Sequence, residues 1–314
     1  MNRNLLLAFK VLLFALLSWF IIDQLFLKND FNAQLSFCLQ HLRGDRYYFF
    51  VLALLLMPVN WGLETIKWKL LLRTNIGYTR LLKSIIAGVT VGFVTPGRTG
   101  EFIGRVMFLN DNNNSKVFYL SSIGGLAQTA ASLIIGVPFV AIWRNDPFIT
   151  EIVIGSAAVY VLAFFRFDLL NKLLSSWSLL QRYGLIIEHG DLPDIKTQVA
   201  VLLLSFLRFG VYTLQYVLLL IFFGIGSDLL ALFTHSIVYL LAQTFSPLMP
   251  LLDFSYRGAS ALYVFNGFSN NNVAILSAVM VVWFVNLVIP ALLGYFFIVR
   301  RKEIRLPWIG SPNL

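Results

Sequence analysis

Long apolar segments separated by short polar links make up most of this chain. The predominantly apolar runs cover residues 5–27, 47–67, 117–143, 148–165, 197–223 and 273–299. A helix that crosses the hydrocarbon core of a bilayer needs about 20 predominantly apolar residues. The pattern therefore predicts an all-α polytopic membrane protein with six full transmembrane helices, folded as a single transmembrane domain over residues 1–314.

Two further apolar segments, 84–109 and 227–266, are interrupted near their middle by prolines, glycines and charges. Proline and glycine end helices, and broken backbone at membrane depth must be buried in protein or line a cavity. We predict that both segments are re-entrant broken helices in an inverted-repeat arrangement, with Thr95 and Pro96 starting a new helix. The predicted break residues are Thr95, Pro96, Gly97, Gly100, Pro247 and Pro250.

Charged side chains follow each of these breaks. Arg98, Glu101 and Arg105 are three and four residues apart, which predicts one helix face and an ion pair between Glu101 and Arg105. Asp253 and Arg257 repeat this spacing after the second break. Helix N-termini and arginines bind anions inside membrane proteins, so we predict that these five residues bind a lipid head group or its phosphate. The alternative is an interfacial loop in which the arginines hold no ligand.

Polar side chains also interrupt the predicted spans. A charge within a span is costly and usually functional, so we expect Arg208 to contact an internal partner such as Glu64, Glu101 or Asp253. For Glu64 the sequence leaves open an interfacial pair with Lys67 or Lys69. The supporting intramembrane polar residues are predicted to be Asn60, Glu64, Gln128, Arg208 and Gln215.

Composition excludes several classes of function. Hydrophobic residues make up 58% of the chain, charged residues 12%, and the mean hydropathy is +0.78, which is outside the range of soluble proteins. The net charge of +9 comes from residues that flank apolar spans, so we expect no nucleic-acid partner. A single cysteine, three scattered histidines and the absence of a catalytic motif predict no metal site, no cofactor and no enzymatic activity.

The distribution of basic residues favours one topology. Six spans and two re-entrant segments, with both termini cytoplasmic, place most lysines and arginines on the cytoplasmic side. The alternative, with eight full spans, moves several of them outside. We interpret 5–27 as an uncleaved first span and 28–46 as a polar link. Residues 168–183 are predicted to form an amphipathic helix that lies on the cytoplasmic membrane surface or packs against the protein.

The sequence resembles a known family in several of these motifs. The likeness lies in residues 60–68 and in the stretch Gly92-Phe93-Val94-Thr95-Pro96-Gly97-Arg98-Thr99-Gly100-Glu101 with Gly104-Arg105. It continues in the span of Arg208 and Gln215, in 250–258, and in 283–294 with Asn286 and Pro290. They resemble the lysylphosphatidylglycerol synthase transmembrane region family of flippase-like integral membrane proteins, in the form found in Bacteroidetes-type bacteria. The second broken segment departs from the first because it lacks the Pro-Gly pair and has Asp253 in place of a glutamate.

The resemblance implies a protein of the bacterial inner membrane that transports an anionic phospholipid or a polyprenyl-linked glycan. The name-giving members carry a soluble aminoacyl transferase domain. Too few residues follow the last predicted span for such a domain, so we expect no aminoacyl transfer. The alternative function is an accessory protein that presents a lipid-linked donor to a separate glycosyltransferase or lipid-modifying enzyme.

Overall fold

The computed structural model describes the chain as an all-helical membrane protein. The described residues are 15, 19, 21–27, 30–42, 46–95, 98–109, 114–144, 146–174, 192–226, 228–246, 250–266 and 268–300, and they contain no β-strand. We number the helices α1 (Phe31–Leu42), α2 (Tyr47–Leu72), α3 (Tyr78–Val94), α4 (Glu101–Phe108), α5 (Asn114–Arg144), α6 (Pro147–Phe165), α7 (Phe167–Leu174), α8 (Ile195–Phe222), α9 (Leu229–Thr244), α10 (Pro250–Val264), α11 (Asn272–Trp283) and α12 (Ile289–Val299).

Five helical segments of the described chain are long and apolar enough to cross a membrane. They are α2, α5, α6, α8 and the continuous run Asn272–Val299, in which a π-helical segment, Phe284–Val288, joins α11 to α12. Five of the six predicted spans are therefore confirmed. Most of the sixth, 5–27, lies outside the described residues.

Polar caps explain why several helices start where they do. The side chains of Asp146, Asp194, Asp228 and Asn271 each accept a hydrogen bond from a backbone N–H group in the first turn of the helix that follows. Such a cap stabilises a helix by about 1 kcal/mol. Pro147 strengthens the start of α6, because the first helical position needs no N–H donor.

Side-chain contacts define two ends of the helix bundle. We call one the Arg80 end, where helix termini are tied together by the pairs Arg73–Asp194, Arg80–Phe108, Lys83–Phe297 and Tyr119–Phe167. We call the other the Asp228 end, which is held by Arg46–Ile221, Trp143–Val264 and Gln34–Asn270. Each of the five long segments runs from one end to the other.

The first broken segment is a helical hairpin that returns to its own end. The Arg80 guanidinium, at the start of α3, donates from Nε to the carbonyl of Phe108, at the end of α4, over 2.8 Å. α3 and α4 pack so closely that a Cβ on Gly104 would collide with the backbone of Ala87 and Gly88. The hairpin therefore enters the bundle from the Arg80 end and does not cross it.

The second broken segment is a matching hairpin at the opposite end. Along the α9–α10 interface, the Tyr256 hydroxyl donates to the carbonyl of Ala242 over 2.7 Å and the Gln243 amide donates to the Ser260 hydroxyl over 2.8 Å. α9 begins after Asp228, and α10 ends beside Trp143, whose indole donates to the carbonyl of Val264. Two hairpins that enter from opposite ends agree with the two re-entrant segments predicted from the sequence, and neither is a full kinked span.

The structure changes some of the predicted boundaries. The first broken segment begins at Tyr78 rather than at 84, and its helices are Tyr78–Val94 and Glu101–Phe108. The predicted polar link 28–46 is wrong because it contains α1, a helix whose Cys38 packs against the core. α7 (Phe167–Leu174) includes residues 168–174 of the predicted amphipathic helix, and residues 175–183 lie outside the described residues.

Candidate functional site

A polar cavity of about 410 Å³ lies inside the bundle between the two hairpins. Six parts of the fold line it: α2, the first hairpin, α5, α8, α10 and the junction of α11 with the π segment. Glu64 is eight residues from the end of α2, which corresponds to roughly 12 Å from the Arg80 end at 1.5 Å per helical residue. The cavity therefore lies at membrane depth, where charged groups need specific partners.

Glu64 is the centre of the charge network around this cavity. Its carboxylate lies 2.7 Å from Lys67 Nζ, 2.7 Å from Arg208 Nη1 and 3.2 Å from Arg105 Nη2. Glu64, Lys67 and Arg105 are almost completely buried. The expected partner for Arg208 is thus confirmed as Glu64. The predicted pair of Glu64 with Lys67 exists, but its interfacial location is wrong because both side chains are buried.

A chain of amide side chains extends this network across the bundle. Asn60 Oδ1 accepts from Arg208 Nε over 2.7 Å, and its Nδ2 donates to Asn286 Oδ1 over 3.1 Å. Asn286 donates to Gln215 Oε1 over 3.0 Å, and Gln215 donates to the carbonyl of Ala53 over 2.9 Å. Because their hydrogen bonds continue from one group to the next, these residues fix how α2, α8 and the π segment are oriented.

The turn of the first hairpin places Arg98 and Glu101 at the cavity. Arg98 Nη2 lies 3.0 Å from Glu101 Oε1, and both side chains are partly exposed. Glu101 is the first residue of α4, so its carboxylate also lies at the positive end of that helix, which favours a negative charge. Arg98 has a positive φ of 53°, a conformation that is uncommon for residues other than glycine.

Two details of the predicted turn are wrong. Thr95 does not start the second helix. It ends α3, its hydroxyl accepts from the N–H of Gly100 over 2.8 Å, and α4 begins only at Glu101. The predicted pair of Glu101 with Arg105 is replaced by Glu101–Arg98 and Arg105–Glu64, because Arg105 points towards the buried carboxylate on α2.

Asp253 and Arg257 bring the second hairpin to the same region. Arg257 Nε donates to Asp253 Oδ2 over 2.8 Å, and the Ser246 hydroxyl donates to Asp253 Oδ1 over 2.8 Å. A smaller cavity of about 100 Å³ is lined by Thr95 and Arg98 from the first hairpin and by these three residues. Arg98 and Arg257 also line the larger cavity. The two hairpin tips therefore meet at one polar space.

The charges that line the larger cavity are unbalanced. Among the described residues, its walls carry two carboxylates, Glu64 and Glu101, and five cations: Lys67, Arg98, Arg105, Arg208 and Arg257. Even with Asp253 counted beside Arg257, cations outnumber anions. Such an excess inside a membrane protein favours binding of an anion.

Several lining residues also carry buried polar atoms without a hydrogen-bond partner. They are Arg105 Nε, Trp61 Nε1, Trp283 Nε1, Ser121 Oγ and Gln128 Oε1. A buried donor without a partner costs about 1–3 kcal/mol. Their concentration around one cavity therefore indicates a place where a polar ligand would be stabilised. The Gln128 amide donates from Nε2 to the carbonyl of Ser205 over 3.4 Å, whereas its Oε1 has no partner among the described residues.

Aromatic rings cover two of the arginines of the site, Arg105 and Arg208. The guanidinium of Arg105 lies 4.7 Å from the ring centre of Trp68, and that of Arg208 lies 5.6 Å from Trp61 and 5.7 Å from Tyr212. Neither tryptophan was among the site residues predicted from the sequence. Their spacing gave the signal that was missed, since Trp61, Glu64 and Trp68 lie on one face of a helix.

Only some of the remaining predicted break residues lie in the described part of the chain. Pro96, Gly97 and Pro247 lie outside the described residues, and Pro250 is the first residue of α10. Gly100 is buried in the first turn, where a Cβ would lie 2.7 Å from the Thr95 hydroxyl. Within the described chain, His, Cys, Asp and Glu side chains nowhere gather in a group of three that would hold a metal ion.

Comparison with known proteins adds no family to these observations. No protein-family model and no curated protein matches the sequence. The resemblance to the lysylphosphatidylglycerol synthase transmembrane region family therefore stays a prediction. The charged cavity is therefore the main feature that bears on the function.

Proposed function

We propose that this protein binds the phosphate of a membrane lipid in the cavity between the two hairpins and moves that lipid across the bilayer. The observation that carries the proposal is the excess of cations around this cavity. A phosphate group would supply the missing negative charge and accept hydrogen bonds from several donors at once.

The partners and location proposed are those of a lipid transporter. The substrate would be an anionic phospholipid or a polyprenyl-linked glycan, since both carry phosphate between an apolar chain and a polar head. The described basic residues concentrate at the Arg80 end, including Arg73, Lys83, Lys172 and Lys196. Because positively charged residues favour the cytoplasmic side, we propose that this end faces the cytoplasm. The protein would then lie in a bacterial inner membrane with both termini cytoplasmic. No enzymatic step is part of the proposal.

A lipid-scrambling assay tests the transport step. The full-length protein is reconstituted in vesicles with fluorescent phosphatidylglycerol, and a membrane-impermeant reductant measures how much label reaches the outer leaflet. We expect the wild type to speed this exchange and both Arg98→Ala and Glu101→Ala to abolish it. Arg166→Ala, which removes an exposed cation outside the cavity, should transport normally.

The same assay separates the transporter from an accessory protein. Wild type that binds phosphatidylglycerol but leaves its distribution unchanged would contradict transport. Such a result would favour a protein that presents a lipid-linked donor to a separate glycosyltransferase or lipid-modifying enzyme. Equal activity of Arg98→Ala and wild type would contradict the assignment of the cavity as the site.

A further inference from the structure

An apolar groove of about 610 Å³ lies directly beside the polar cavity. It is lined by α2, α10, α11 and the π segment, together with Phe223 after α8 and Ile289 at the start of α12. Ser277 is the only polar residue among its described walls. Phe254 and Phe284, on its walls, are about half exposed at 47% and 49%. The volume falls within the range of about 300–1,000 Å³ that is usual for ligand sites.

The groove and the polar cavity share one wall residue, Trp283, which also lines the small cavity at the hairpin tips. The Trp283 ring packs edge-on against Phe254, with ring centres 5.9 Å apart, while its Nε1 is buried without a hydrogen-bond partner. Tryptophan suits a boundary where one side is apolar and the other polar. An occupant of both spaces must therefore be amphipathic.

The groove lies in the half of the bundle near the Asp228 end. Phe50 is in the first turn of α2, beside Arg46, and Phe223 follows the last residue of α8. The polar cavity instead includes Lys67, which is close to the Arg80 end of α2. A molecule that occupies both spaces would point its polar group towards the Arg80 end and its apolar part towards the opposite leaflet.

We infer that the groove binds the hydrocarbon chain of the lipid whose phosphate occupies the cavity, with Trp283 between the chain and the head group. This inference rests on the proposed function, because it takes a phosphate-bearing lipid as the ligand. It adds a second subsite and an orientation: the chain lies in the leaflet at the Asp228 end while the head group is at mid-membrane. Recognition of the lipid is thereby divided between charge in one space and apolar contact in the other.

Photo-crosslinking of the wild type tests the position of the chain. Phosphatidylglycerol with a diazirine on the part of its acyl chain nearest the glycerol is bound to the full-length protein and activated by light. We expect labelled peptides to contain Phe254 and residues 277–289. Label spread evenly over the lipid-facing surface of α6, without enrichment at the groove, would overturn the inference.

Filling the groove tests its contribution to affinity. Ser277→Phe places a ring in the groove, and Leu292→Phe is the matched control at a half-exposed position of α12 outside it. Native mass spectrometry compares phosphatidylglycerol with glycerophosphoglycerol, the same head group without chains. We expect Ser277→Phe to weaken binding of the lipid at least tenfold and to leave binding of glycerophosphoglycerol unchanged, and Leu292→Phe to change neither.

The outcomes separate this inference from the proposed function. Wild type that binds neither molecule would overturn both. Glycerophosphoglycerol binding together with unchanged lipid affinity in Ser277→Phe would overturn the groove alone. If Ser277→Phe does not fold, crosslinking of the wild type decides the matter.

Discussion

At the scale of single residues, one carboxylate holds most of the buried charge together. Glu64 contacts cations from three helices, Lys67 on α2, Arg105 on α4 and Arg208 on α8. Removing one partner from a buried ion pair leaves a charge without compensation and costs about 3–5 kcal/mol. Glu64 is therefore needed to join these helices, and its negative charge offsets only part of the charge around it.

Glu64→Gln should strongly destabilise the protein, because three cations would then surround a neutral amide. We expect a loss of about 3–5 kcal/mol in the free energy of unfolding, measured by reversible unfolding in mixed micelles. Inorganic phosphate should recover part of this loss if the cavity accepts anions.

The matched control is Asp194→Asn, which removes an exposed carboxylate that pairs with Arg73 and preserves the helix cap. Its effect should stay within about 1 kcal/mol, because exposed ion pairs contribute little and asparagine caps helices as well as aspartate. Equal effects of the two substitutions would show that Glu64 is not a structural centre.

Arg98 has an unfavourable left-handed backbone conformation, in a position where glycine would be less strained. Glycine at this position would relieve about 1–2 kcal/mol of left-handed strain, offset by the greater freedom of an unfolded glycine. We predict that Arg98→Gly changes stability by less than about 1 kcal/mol yet loses binding of phosphatidylglycerol by native mass spectrometry.

Arg73→Gly is the control for Arg98→Gly. Arg73 also has a positive φ, of 50°, but it ends α2 outside the cavity, where glycine is common. It should keep both its stability and its lipid binding. Loss of binding in both variants would indicate that backbone conformation, not the Arg98 guanidinium, is responsible.

At the scale of elements, the first hairpin depends on close approach of two helix backbones. A Cβ on Gly88 would lie 2.7 Å from the Glu101 carbonyl, and Gly104 leaves even less space against Ala87. Small residues allow such packing between helices in membranes. This contact holds α4 against α3 and thereby aims Arg105 at Glu64.

Gly104→Ala should separate α4 from α3, because the added methyl group meets backbone atoms that cannot rotate away. Overpacking of this kind costs about 1–3 kcal/mol, and we expect a lower melting temperature together with reduced lipid scrambling. Gly155→Ala, on α6 with open space around its Cβ position, should be neutral or slightly stabilising. Wild-type stability in Gly104→Ala would contradict the tight interface.

At the scale of the whole molecule, the two hairpins determine which loops share a side of the membrane. Each hairpin returns to the end from which it enters, so the loops after α2 and α6 both lie at the Arg80 end. The Asp228 end collects those after α8 and α10. This arrangement makes a prediction about accessibility that does not depend on transport.

Cysteine labelling in intact vesicles checks this topology. In a Cys38→Ser background, Asn75→Cys and Asp168→Cys should react from one side only, and Asp228→Cys and Asn270→Cys from the other. Cys38 is the only native cysteine, so its replacement leaves no competing thiol. Reaction of Asn75→Cys and Asn270→Cys from the same side would rule out the hairpin topology.

The sequence predicted the elements better than their contacts. Apolar runs are local features, and they located the five described spans to within a few residues. The pairing of Arg105 with Glu64 joins positions 41 residues apart, and spacing along one helix favoured Glu101 instead. The burial of Lys67 was missed for the same reason, since the helices that cover it come from distant parts of the chain.

The π segment between α11 and α12 gives the bundle one place where a helix is wound differently. Pro290 has no N–H group, so one carbonyl of the preceding turn lacks its helical donor. Within the same region, Asn286 Nδ2 donates to the carbonyl of Val282 over 3.1 Å. A π turn holds one more residue than an α turn, and one residue is about 100° of rotation. The π segment therefore rotates α12 by about this angle relative to α11, compared with an uninterrupted α-helix, and this sets which residues of the two helices share a face. Trp283, which divides the charged space from the apolar one, directly precedes this change in winding, so the π segment helps to set the direction in which its ring points.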